Sequence, residues 1–125
     1  MPEPPFPAAF LEGVRRFNAG DFFEAHEAFE ELLDEVEGDA RWDLLLALVQ
    51  VAVGYHKCAA GYAGAARMLA LGGAKLDAFP AHVAGVDVAA LRARVRADGA
   101  RLEAGEEPAA LTRVDPPRIR LAPRR

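Results

Sequence analysis

The chain contains no serine, and Thr112 is its single threonine. A serine-centred triad is therefore excluded, and so is the hydroxyl residue of a phosphate-binding P-loop. One cysteine, Cys58, rules out an intrachain disulfide and a cysteine cluster for zinc. Only Lys57 stands beside it as an activating group, so Cys58 reads as structural or inert. Neither C-x-x-C nor G-x-G-x-x-G occurs. Isoleucine appears once, at Ile119, against abundant alanine and leucine, a balance that favours helix over sheet. The longest apolar stretch, LLLALVQVAV, contains a glutamine and is shorter than the roughly 18 residues that a membrane span needs. The opening MPEPPFP has neither the basic region nor the hydrophobic segment of a secretory signal. These absences lead to the expectation of a cytoplasmic protein with no membrane association.

A chain of 125 residues suits one hydrophobic core, and 1–125 reads as one helical domain. A proline-rich lead covers 1–8, and an extended Pro/Arg-rich tail covers 114–125. The formal net charge of −4 hides an asymmetry. Residues 1–56 hold 12 acidic and 3 basic side chains, whereas 57–125 hold 7 acidic and 12 basic ones. Complementary faces, within the bundle or between two copies in a homodimer, account for that split. Nucleic-acid binding through Arg92, Arg94, Arg96 and Arg101 is the competing account. It is disfavoured by the negative total and by the lack of aromatic residues among those arginines.

Hydrophobic periodicity predicts about five helices. Phe10, Leu11, Val14 and Phe17 follow helical spacing, and NAG at 18–20 supplies a stop. Asp21 then caps a second helix, with Glu24 three residues on in a capping-box arrangement. Phe22, His26, Phe29 and Leu33 share one face of it. EGD at 37–39 ends that helix, and Asp39 caps a third, apolar nearly all round, from about Ala40 to Ala59. A fourth runs from about Tyr62 to Phe79, with LGG at 71–73 as a kink or break. Asp87 opens a fifth, with Val88, Leu91, Val95 and Leu102 as its buried stripe. The tail is too proline-rich for helix and is expected to lie over the bundle through Ile119 and Leu121. A faint repeat at a period of 40 aligns 20–29 with 60–69, matching Phe22 to Tyr62, Ala25 to Ala65 and Phe29 to Leu69. The expected architecture is an all-α compact bundle of two antiparallel, weakly tetratricopeptide-like hairpins, a C-terminal helix and an extended tail.

The residues that carry chemistry concentrate in GDFFEAHEAFEELL, 20–33. Glu24 is accounted for as the partner of the Asp21 cap, at the positive end of the helix dipole. Glu27 and Glu31, one turn apart, form a solvated or subunit-facing acidic stripe. His26 lies in the apolar stripe with Glu30 at i+4, and a buried imidazole needs partners for both ring nitrogens. Gln50, the single glutamine, sits in the most apolar helix, where an unpaired amide costs roughly 1–3 kcal/mol. His56 follows six residues later, flanking Val53 on the other side. If one neighbouring helix faces both, then His26, Glu30, Gln50 and His56 converge. Two histidines with carboxylates suit zinc, iron or manganese, with His26, Glu30 and His56 as ligands. The spacing matches no established metal motif: H-E-x-x-E at 26–30 lacks the second histidine of H-E-x-x-H. His82, in a loop after FP, looks incidental.

FNAGDFFEAHEAFEELL, followed by LALVQVAVGYHK and GYAGAARML, resembles the all-helical domain-of-unknown-function family 309. Gly20, Phe22, Phe23, Glu24, His26, Glu27 and Glu30 match its first motif, Gln50, Ala52 and His56 its second, and Gly64 and Ala65 its third. The resemblance covers roughly residues 10–80. The tryptophan usual just after the first motif is replaced by Leu33 and Asp34, with Trp42 downstream, and Phe29 stands for the usual leucine. The resemblance implies a small helical bundle and supplies no reaction.

Three readings follow. The chain is a non-catalytic interaction or scaffold module in which Glu24, His26, Glu27, Glu30, Gln50 and His56 form a structural core cluster. Alternatively, the cluster binds a divalent metal or small ligand, with no other cofactor implied. The third reading is nucleic-acid binding through the basic C-terminal third. The first needs either a second copy or an unidentified protein as its partner.

Overall fold

The apolar run at 44–53 lies within α3 (Ala40–Ala60), the longest helix. In the computed structural model, which describes residues 4–122, this helix is packed on several sides by the others. Among the described residues it is the one helix long and apolar enough to cross a membrane, but 56% of that window is buried inside the bundle. A core helix has the same composition as a span because both lack water on all sides.

Around it stand α1 (Phe10–Asn18), α2 (Phe22–Glu31), α4 (Ala65–Leu76), α5 (Val88–Glu103) and the one-turn α6 (Ala110–Arg113). A 3-10 turn at Leu33–Val36 follows α2. The architecture is the expected all-α bundle. Its small β component lies where a loop was expected: β1 (His82–Val83) pairs with β2 (Val86–Asp87) as an antiparallel hairpin.

Helix ends follow local chemistry, with one correction. Asp39 accepts the Arg41 backbone N–H at 2.7 Å, and Asp87 accepts that of Ala90 at 3.0 Å, so both act as N-caps. Asp21 makes no capping hydrogen bond, so the expected capping box with Glu24 does not form. The chain enters α2 instead through Gly20 at φ +86°, a left-handed turn that glycine adopts without steric cost. The buried face of α2 is also rotated from the expected one: Phe22, Ala25, Phe29 and Leu32 point inward, and His26 lies at its edge.

The two hairpins are closed by the same device. A Cβ on Gly13 of α1 would lie 2.5 Å from the Phe29 ring of α2, and one on Gly54 of α3 would lie 2.7 Å from the Leu69 side chain of α4. Phe29 and Leu69 are a matched pair of the 40-residue repeat, so the repeat records two glycine-to-apolar contacts. Its other end diverges: Phe22 is buried, whereas Tyr62 is 59% exposed.

LGG at 71–73 is not a break, because α4 runs through it. Gly72 turns to α3, where a Cβ would meet Val51 Cγ2 at 2.7 Å, and Gly73 turns to α5, where it would meet Val95 Cγ1 at 3.1 Å. Two successive glycines cost the helix roughly 1 kcal/mol each in propensity, and close packing on both sides offsets that. Trp42, in the first turn of α3, packs against the core while partly buried.

The tail is held at two points. Asn18 donates from Nδ2 to the Ile119 carbonyl at 3.0 Å and accepts the Ile119 N–H on Oδ1 at 2.7 Å. One amide side chain thus pairs both backbone groups of a residue, as a neighbouring strand would. Beyond it Leu121 bridges to Val86, and the Asp87 N–H donates to the Arg120 carbonyl at 2.9 Å. Ile119 is buried as expected; Leu121, 37% exposed, sits on the edge of the hairpin rather than in the core.

Stability measurements on three variants check this account. Gly72→Ala is expected to lower unfolding free energy by about 1–3 kcal/mol despite its better helix propensity. Gly99→Ala, where the added methyl meets nothing within 4 Å, should raise it by up to about 1 kcal/mol. Asn18→Ala should cost about 1–2 kcal/mol in urea titration and abolish hydrogen-exchange protection of the Ile119 amide.

Candidate functional site

Because Phe22 points inward, its neighbour Phe23 is carried about 100° round α2 and out of the core. Phe23 is 45% exposed. On α3 the same step occurs between Tyr55, fully buried, and His56, partly exposed. The two outward residues meet: the Phe23 and His56 ring centroids lie 5.2 Å apart. His26, one turn along from Phe23, packs edge-on against the same phenyl ring at 4.8 Å. Tyr62, in the loop after α3, stands edge-on to His56 at 5.6 Å. Four aromatic rings from α2, α3 and the following loop thus form a continuous row on the surface.

The His26 Nδ1 lies 2.5 Å from the Phe23 carbonyl of its own helix, a contact that selects the tautomer with the proton on Nδ1. Its Nε2 faces Glu30, 4.0 Å away, beyond hydrogen-bond range. The Glu30 side chain is 63% exposed against 18% for His26. Phe23, His26, Glu27, Glu30 and Glu31 line an open groove of about 340 Å³. Glu24 is exposed in the first turn of α2, where the dipole favours a carboxylate.

The structure therefore brings His26, Glu27 and Glu30 together, with His56 joined to them through the Phe23 ring, and it does so on the surface. Gln50 is not part of this group. It sits about 120° round α3 from His56 and bonds to neither histidine. Its Oε1 is buried with no hydrogen-bond partner, contrary to the expectation that the amide is satisfied in the fold. Among the described residues no three His, Cys, Asp or Glu side chains are grouped so as to hold a metal ion. His82 stands in β1 with Nε2 3.9 Å from Asp87.

The site's electrostatics are one-sided. Glu24, Glu27, Glu30 and Glu31 have no lysine or arginine partner among the described residues. Other carboxylates are paired, among them Glu12 with Arg15 and Arg16, Asp39 with Arg41, Asp77 with Arg96 and Glu106 with Arg101.

A second polar group, buried, escaped the sequence reading. Asp98 is 1% exposed and accepts the Tyr55 hydroxyl at 2.6 Å, Arg94 Nε at 2.7 Å and Arg101 at 3.3 Å. Arg94 continues to the Leu111 carbonyl at 2.8 Å and the Asp115 carbonyl at 2.5 Å. This chain of bonds ties α3 to α5, α6 and the start of the tail. Every buried carboxylate oxygen has a donor, so the network acts as a brace. The signal was present: 88, 91, 95, 98 and 102 form one helical stripe, and the member passed over is the aspartate. An acid in an apolar stripe with arginine at i−4 marks a buried ion pair.

Burial raises the Tyr55 hydroxyl pKa, and its bond to Asp98 adds to the rise. Burial, then the Asp98 charge, pushes the Cys58 thiol from 9.0 up to about 11. Both groups are held neutral by the fold: the Cys58 contribution is full below pH 9 and is lost as pH rises towards 11, whereas the Tyr55 contribution begins to fall only above pH 10. Urea midpoints should therefore fall between pH 9 and 11, with a shallower fall in Cys58→Ala.

Comparison with known proteins bears on the segment that carries the aromatic row. The model of the family described as Domain of unknown function (DUF309) matches residues 10–69, which include α1, α2, α3 and the loop with Tyr62. No curated protein matches the chain. The motif resemblance and this match agree in place and order: residues 10–69 are similar to the DUF309 family.

Proposed function

We propose that this protein is a non-catalytic interaction module that engages a protein partner through the aromatic row and acidic groove of α2 and α3. The observation that carries this reading is the exposure of Phe23 and Tyr62 in contact with two histidines. Aromatic side chains bury large areas at low entropic cost, and such rings are enriched at the centres of protein interfaces. Singly exposed apolar residues need no explanation, but a contiguous row ringed by charge does. Of the polar residues that carry the family resemblance, His26, Glu27, Glu30 and His56 lie on this surface and Gln50 does not, which supports a recognition role for these four.

The α5 arginines favour this reading over nucleic-acid binding. Arg92 donates to the Leu76 and Phe79 carbonyls, Arg94 and Arg101 bind Asp98, and Arg96 pairs with Asp77. Each is committed to holding the fold.

The test places a photo-crosslinking p-benzoylphenylalanine at Phe23, at Tyr62 and, as control, at Leu71, another exposed apolar site. Discrete adducts from the first two positions and none from the third are expected. Phe23→Ala and His26→Ala should change stability by less than about 0.5 kcal/mol, as surface substitutions do. A loss above about 2 kcal/mol in His26→Ala would make the histidine a structural strut instead. Stoichiometric metal in the purified protein that disappears in His26→Ala would establish the metal-binding reading.

A further inference from the structure

The groove on α2 has a counterpart elsewhere on the same chain. Along the tail, Pro117 and Ile119 are buried while Arg118 and Arg120 are exposed, the alternation of an extended strand with one face inward. Neither arginine has an acidic partner among the described residues. Leu121, 37% exposed, adds apolar surface beside them. The molecule thus pairs most of its arginines with its own acids, and among the charges without an ionic partner two sets lie beside exposed apolar side chains. One is the carboxylates flanking Phe23; the other is two guanidinium groups projecting from one edge of the tail.

These surfaces adjoin the same turn. Asn18 clamps Ile119 at the end of α1, and Phe23 follows in the first turn of α2. Patches that flank one turn can meet their counterparts reciprocally across a two-fold axis, each occurring twice in a closed dimer. Resting on the interaction reading above, we infer that the occupant of the aromatic–acidic groove is a second copy of this chain. The Arg118 and Arg120 strand of each protomer lies against Glu27, Glu30 and Phe23 of the other. Guanidinium groups suit both parts of that surface, since they bind carboxylates bidentately and stack on aromatic faces.

Sedimentation equilibrium of the full chain tests this. A dimer is expected at low salt, with the dissociation constant rising at least tenfold between about 50 mM and 500 mM sodium chloride, because exposed ion pairs are screened. Glu27→Lys/Glu30→Lys and Arg118→Glu/Arg120→Glu should each be monomeric with unchanged helical circular dichroism. The protein carrying all four changes should dimerise again. A monomer at all concentrations, or a dimer indifferent to salt and to Phe23→Ala, overturns the inference. A monomer whose Phe23 crosslinker still captures a different protein overturns the second copy and leaves the docking surface standing. A monomer that gives no adduct removes both.

Discussion

The phenol of Tyr55 joins four parts of the molecule through one side chain. Its ring lies 6.1 Å from that of Phe17 on α1 and 5.6 Å from that of Phe22 on α2, and its hydroxyl bonds Asp98 on α5. Through Asp98 and Arg94 the connection reaches α6 and the tail. A buried carboxylate tolerates low dielectric only when donors surround it, so each partner requires the others to be in place. The geometry of α3 against its neighbours follows from that requirement, with the glycine contacts to α4 setting the distance on the other side.

The surface site is a consequence of this core. Successive residues on a helix diverge by about 100°, so seating Tyr55 inward turns His56 towards α2, and seating Phe22 inward turns Phe23 towards α3. The core contact between Phe22 and Tyr55 at 5.6 Å is repeated one residue on by the surface contact between Phe23 and His56 at 5.2 Å. In the proposed docking role, side chains mounted on rigid helices would be ordered before a partner arrives, which reduces the entropy lost on docking. The aromatic row needs no strain or separate scaffold.

Charge is divided between the same two tasks. The α5 arginines cap carbonyls, pair with acids and satisfy Asp98, so they contribute to cohesion. The acids of α2 meet no arginine within the described residues and give the surface its sign. The apparent acidic–basic asymmetry along the chain is therefore not one dipolar surface. Much of the basic half is paired within the fold, and Arg118 and Arg120 on the tail are among the bases left without an acidic partner.

Local rules carried the reading of the sequence as far as local rules extend. Periodicity and caps determined the five longer helices, the central place of α3, the stop at Gly20, the Asp39 and Asp87 caps and the inward direction of Ile119. Each depends on residues a few positions apart. What the tertiary structure decided depends on which helix is the neighbour. Gly72 and Gly73 resemble a break until α3 and α5 are seen to need the space. Asp98 looks like a surface acid until Tyr55 and Arg94 surround it. His26 and Gln50 look like members of one buried cluster, but the rotation of α2 places the histidine at the surface, and the 120° between Gln50 and His56 separates them. A helix's period says which residues share a face; only packing says whether that face meets protein or water.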